Sequence, residues 1–135
     1  YGEPKTPQEL ISHHCLAYSN MAKKWRLYDV KGNLHSVNVG VKMRANNGQM
    51  LLSTALNGQG VLILPTFLCY QELVEGRLIP ILQEYSVEQI NAYALYPQTR
   101  FLSNRVRQFI DFLVEKLGEK PYWDQECEKV LHQIT

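Results

Sequence analysis

The chain has 135 residues, of which 45% are apolar and 20% charged, the length and composition of one globular domain rather than of a disordered segment. A net charge of +1 leaves no electrostatic footprint for nucleic acid or for an anionic membrane surface. The longest apolar runs are a few residues, as in Val61-Leu62-Ile63-Leu64, far short of the ~20 that cross a bilayer. The chain opens at Tyr1 with no basic-then-apolar leader, and the expectation is a fragment whose beginning lies elsewhere.

In chain order, Thr6-Pro7-Gln8-Glu9 predicts a short helix, with Thr6 as cap, Pro7 at the first helical position and Glu9 closing a capping box. Cys15 to Tyr18 reads as a buried strand. Trp25 to Val30 and Leu34 to Val37, with Lys31-Gly32-Asn33 between them, read as a hairpin. Val39, Val41 and Met43 alternate with Gly40, Lys42 and Arg44, the period of a half-buried strand.

The texture changes at Asn46. Asn46 or Asn47 can cap a helix that runs to about Asn57, with Gly58 as its left-handed stop. Val61 to Leu64 predicts an interior strand covered on both faces, and Thr66 a cap for a helix over about Phe67 to Glu75. Leu78 to Leu82 is apolar, but Pro80 cannot donate to a ladder, which places that segment at a sheet edge. This alternation of strands and helices predicts an α/β fold with a partly parallel sheet.

Ile90 to Tyr96, closed by Pro97, is a further predicted strand. Ser103 caps the most regular helical pattern in the chain, with Val106, Phe109, Ile110, Leu113 and Leu117 at helical spacing and Gly118 beyond. A last helix from about Asp124 would carry Cys127, Val130, Leu131 and Ile134 on one face. Charge is uneven: residues 1–67 carry +4 and residues 68–135 carry −3, which fits two solvated faces.

No GxSxG, HExxH or glycine-rich phosphate loop is present, so the sequence offers no enzyme signature and no cofactor motif. The three cysteines, Cys15, Cys69 and Cys127, lack metal spacing and read as reduced, buried thiols, an intramolecular disulfide being the alternative. His13-His14-Cys15 is the nearest approach to a metal cluster, yet neighbours on a strand point to opposite faces and no second ligand pair completes a set. The helix starts are more informative. Asn46-Asn47-Gly48 follows a strand and opens a helix, where unpaired backbone N–H groups converge and Gly48 permits close approach to the backbone. Pro65-Thr66 is a weaker copy of the same arrangement, and ordinary capping accounts for either one. Lys23, Lys24, Arg26, Lys31, Lys42 and Arg44 read as a solvated sheet rim.

The motif order then carries a resemblance. Gly2-Glu3-Pro4, Thr6-Pro7-Gln8-Glu9-Leu10, His14-Cys15-Leu16-Ala17-Tyr18 and Asn46-Asn47 come first. Ala55 to Val61, Leu64-Pro65, Leu73 to Leu82, Ala94 to Pro97 and Leu102 to Leu113 follow. Together they resemble the effector-binding domain of LysR-type transcriptional regulators, over nearly the whole chain and fading after about Leu117.

That resemblance implies a periplasmic-binding-protein type 2-like architecture, a mixed sheet flanked by helices in each of two lobes. Residues 1–89 would be the second regulatory subdomain. Residues 90–135 would be the returning C-terminal part of the first, and the N-terminal DNA-binding domain would be absent. The helix after Ser103 would then present an apolar face without its partner. A small-molecule effector would bind between the lobes, lined on this side by Asn46, Asn47 and Gly48, with Tyr18, Ser19, Thr66 and Tyr93 as weaker candidates. DNA would be contacted only through the missing domain, in a cytoplasmic homo-oligomer (dimer or tetramer) with no membrane attachment. Two other readings remain at this point: a solute-binding protein of the same architecture, which needs an export signal, and an α/β enzyme with a histidine or cysteine nucleophile.

Overall fold

The computed structural model describes residues 2–88, 90–91, 93–96, 103–118 and 120–131. A 3-10 helix, Pro7–Ser12, leads into β1 (His14–Tyr18), and β2 (Lys24–Asp29) and β3 (Leu34–Asn38) form a hairpin. Next come β4 (Gly40–Ala45), α1 (Gly48–Leu56), β5 (Val61–Leu62), α2 (Thr66–Val74), β6 (Tyr85–Val87), α3 (Asn104–Leu117) and α4 (Tyr122–Leu131). The strands make two three-stranded sheets, one parallel in the order β4-β1-β5 and one antiparallel in the order β3-β2-β6. The α/β class and the hairpin follow the sequence pattern.

β1 is the interior strand. Cys15 and Leu16 point to opposite faces and are 0% and 1% exposed, so the strand is covered on both sides. Cys15 joins Leu10, Trp25, Leu27, Val37 and Val39 in one core cluster. Leu16 joins Ala45, Leu51 and Ala55 in the other, which fastens α1 onto the parallel sheet. Full burial of a side chain such as Leu16 or Leu51 stabilises by roughly 1.5–3 kcal/mol.

The hairpin turn is organised by one carboxylate. Asp29 Oδ1 accepts from the backbone N–H groups of Lys31 (2.9 Å) and Asn33 (2.8 Å). Its Oδ2 accepts from Asn33 Nδ2 at 2.9 Å and lies 3.2 Å from His35 Nε2. Gly32 takes the left-handed conformation at φ 81° that closes the turn.

Several expectations are corrected. The first helix is 3-10, and Thr6 makes no side-chain cap to a backbone N–H. Its hydroxyl instead donates to Glu9 Oε1 at 3.0 Å, while Glu9 Oε2 accepts from the Lys5 N–H at 2.9 Å. Val61 to Leu64 is not an interior strand: only Val61–Leu62 pair, half-buried at the edge beside β1. Pro65 takes the cap position before α2, which makes Thr66 the first helical residue rather than the cap. No strand forms over Leu78 to Leu82, and Tyr85–Val87 provides the edge against β2 instead. Leu82 sits at φ 53°, outside the extended region a strand needs.

The described residues between Ile90 and Tyr96 form no strand either. Ile90 is 86% and Leu95 94% exposed, and no strand among the described residues pairs with this segment. Pro97 and Ile134, and the boundary residue Gln89, lie outside the described residues. α3 forms as its periodicity predicts: Ser103 Oγ accepts from the Val106 N–H at 3.4 Å, and Gly118 ends the helix at φ 58°. It buries no side chain, with Phe109 61% and Val114 65% exposed. α4 starts at Tyr122, ahead of the expected Asp124, and buries Cys127.

Candidate functional site

Because β1, β4 and β5 are parallel, their carboxyl ends share one edge of the sheet, the edge at which ligands bind in open α/β sheets. Ser19 follows β1, Asn46 and Asn47 follow β4, and Pro65-Thr66 follow β5. Five of the expected residues therefore come from three separate segments to one edge by topology alone: Ser19, Asn46, Asn47, Thr66 and, at the end of β1, Tyr18.

The Asn47 side chain is the true cap of α1. Its Oδ1 accepts from the N–H groups of Gln49 (2.8 Å) and Met50 (3.2 Å), satisfying donors that a helix start otherwise leaves open. Asn46 is exposed at the junction of strand and helix. Gly48 is buried, and a Cβ placed on it would lie 2.3 Å from the Tyr18 hydroxyl oxygen and 2.6 Å from Leu68 Cδ1. The closeness of approach at Gly48 thus serves the protein's own Tyr18 and α2. Ser19 N–H donates to the Ala45 carbonyl at 2.9 Å and ties the end of β1 to the end of β4.

Thr66 starts α2, and its hydroxyl donates to Asp124 Oδ1 of α4 at 2.5 Å. Tyr93 stands apart, 78% exposed in an irregular segment, with its hydroxyl 3.3 Å from Asn91 Nδ2. Nothing in the described structure brings it to the sheet edge.

Two participants escaped the sequence reading. Arg44 Nη1 donates to the carbonyls of Tyr18 (3.2 Å) and Met21 (2.7 Å), which pins the loop after β1 and sets a guanidinium beside the edge. Its exposed position in an alternating strand was legible; its target was not. Asp124 reaches Thr66 across 58 residues of sequence, a distance over which no local pattern operates.

Among the described residues no group of three His, Cys, Asp or Glu side chains is placed to hold a metal. His13 presents Nδ1 to the Glu9 carbonyl (2.9 Å) and Nε2 to the Gly2 carbonyl (3.1 Å), fastening the start of the chain. The three cysteines are free and buried. Burial pushes the Cys15 thiol up to about 11, and burial together with the nearby Cys127 does the same for Cys69, the opposite of what activates a nucleophile. Two open concavities of about 320 and 460 Å³ are lined by Glu3–Lys5, Pro80–Tyr85 and Leu131, and none of the expected site residues lines either. The sheet edge is favoured as the site because polar groups converge there, whereas those hollows expose mainly chain-terminal and loop surface.

Known proteins share this fold and chain order. The family model described as the LysR substrate binding domain matches residues 2–118. The HTH-type transcriptional regulator CrgA of Neisseria meningitidis serogroup B is 33% identical over 121 residues, covering 87% of this chain and 40% of CrgA. PtxR of Pseudomonas aeruginosa, also an HTH-type transcriptional regulator, is 32% identical over 117 residues, 86% of this chain and 38% of PtxR. The chain thus spans about 40% of the length of the curated relatives it matches.

Among solved structures, the CrgA regulatory domain superposes with a TM-score of 0.71 at 33% identity, over 87% of this chain and 58% of that one. The regulatory domain of AphB from Vibrio vulnificus gives 0.72 at 25% identity, over 85% of this chain and 58% of AphB's. Since the family match runs unbroken from the 3-10 helix to the end of α3, the chain belongs to the LysR substrate binding domain family.

Proposed function

We propose that this chain is the effector-sensing part of a LysR-type transcriptional regulator, taking a small molecule at the carboxyl edge of its parallel sheet and passing the event on to DNA binding. The observation that carries the reading is the convergence of Ser19, Asn46-Asn47 and Thr66 at the ends of three parallel strands, in a chain whose relatives are named transcriptional regulators. Asn46, Asn47, Gly48, Tyr18, Ser19 and Thr66 form this side of the site; Tyr93, which stands apart in this structure, would join it only on the segment that returns to a second lobe. Asn46 is the residue assigned to the ligand, because it is exposed while Asn47 is committed to the cap. Residues 1–89 act as the second regulatory subdomain and 90–135 as the returning part of the first. The full regulator contacts DNA through an N-terminal domain and works in the cytoplasm as a dimer or tetramer. Its role is binding, not catalysis.

The test uses the full-length regulator carrying Asn46→Ala. Effector response in a reporter titration should weaken, with operator binding in the absence of effector unchanged. Equal response of variant and wild type across the titration would overturn the assignment.

A further inference from the structure

α4 lies beyond the segment that the family shares, which ends at residue 118, yet it is fastened to α2 rather than left loose. The attachment is concentrated on the first turns of α2. Thr66 Oγ1 donates to Asp124 Oδ1 at 2.5 Å. Phe67 meets Trp123 edge-on at 6.2 Å between ring centroids, and Tyr70 meets Tyr122 in the same way at 5.7 Å. Behind these contacts sit two thiols, Cys69 of α2 and Cys127 of α4, 7% and 4% exposed. Cys69 is the only buried side chain of α2, and Cys127 the only one of α4. Cys127 is near enough to Cys69 to raise its thiol further, which puts both thiols on the side where the two helices meet. On the opposite side α2 touches the rest of the domain through Leu68, packed where a Gly48 side chain would stand.

We infer that α4 is a latch on α2: the Thr66–Asp124 hydrogen bond and the Phe67–Trp123 contact hold the helix that forms one end of the candidate cleft, and they open as a unit. A threonine hydroxyl carries one proton to donate. While Asp124 accepts it, Thr66 has none for a ligand, and an effector that takes this proton must release α4. That consequence rests on Thr66 belonging to the cleft, as proposed above; the latch itself does not.

The buried thiols report on the latch without any ligand. Opening α4 uncovers Cys69 and Cys127 together, whereas Cys15 stays in the core at 0% exposure and serves as the internal control. The experiment is native-state alkylation of the complete chain with N-ethylmaleimide, read cysteine by cysteine by mass spectrometry, for wild type, Asp124→Ala, Thr66→Val and Trp123→Leu. Local opening governs reaction at buried groups. Losing a charge-assisted hydrogen bond or the aromatic contact should speed labelling of Cys69 and Cys127 by about tenfold or more, in step with each other and with Cys15 unchanged. Unchanged rates at Cys69 and Cys127 in all three variants overturn the latch. So does an equal rise at Cys15, which would mean that α4 opens only when the whole domain unfolds. Failure here leaves the Asn46→Ala test untouched, so the two readings fail separately.

Discussion

The Tyr18 hydroxyl occupies the space that a side chain on Gly48 would need, 2.3 Å from the position of its Cβ. This one contact joins the end of β1 to the first turn of α1, with Leu68 of α2 closing the third side at 2.6 Å. Gly48→Ala therefore forces an overpacked junction and should cost about 1–3 kcal/mol in urea unfolding. Tyr18→Phe removes the nearest atom, so the double variant should recover part of that loss. Additive losses in the double-mutant cycle would contradict the contact.

Asn47 caps α1 through two backbone N–H groups. Asn47→Ala should lower stability by about 1 kcal/mol. Asn47→Asp keeps the acceptor and adds a negative charge at the positive end of the helix, so it should be neutral or slightly stabilising. Chemical denaturation of the three proteins at low and high salt checks both, since the benefit of the aspartate should fade as salt rises.

Asp29 is held down to about 2 by the Asn33 side chain, then by the backbone N–H groups of Asn33 and Lys31 and by His35. A carboxyl whose folded value is depressed stabilises above its unfolded value, near 3.8, and loses that contribution as pH falls through the folded value. The gap in urea midpoint between wild type and Asp29→Ala should accordingly be constant above about pH 5 and shrink towards pH 2. A gap that does not change with pH would show that the ionised carboxylate is not what orders the turn.

The core lies around β1 and not on α3. Leu51→Ala, at a fully buried position, should cost about 2–5 kcal/mol. Phe109→Ser, at a site 61% exposed, should change stability by no more than about 0.5 kcal/mol. Comparable losses from the two substitutions would mean that α3 buries its apolar face in solution.

The candidate site was half legible. The run Asn46-Asn47-Gly48 announced a strand-to-helix junction with a cap, because capping chemistry operates between residues two or three apart. For Gly48 the local pattern announces only a close approach, and that Tyr18 and Leu68 fill the space is decided by residues distant in sequence. The position of Thr66 after Pro65 predicts a cap, whereas its hydroxyl is committed to a helix 58 residues away. Arg44 showed only that it faces outward, and its grip on the Tyr18 and Met21 carbonyls depends on how β1 and β4 lie side by side.

What the sequence determined by itself is what neighbouring residues decide among themselves: the hairpin around Gly32, the cap and stop of α1, the amphipathic run of α3, and the family motifs in their order. Hydrophobic period and turn chemistry report each segment's local needs. Tertiary structure decided which partner meets those needs. Val61 to Leu64 is the more apolar run, yet β1 became the interior strand, because β4 and β5 pair on its two sides and core clusters cover both its faces. Ile90 to Tyr96 has a strand's composition but no ladder among the described residues, and α3 has an apolar face that nothing there buries. Pairing and burial are properties of two segments at once, and neither segment alone records which other it will meet.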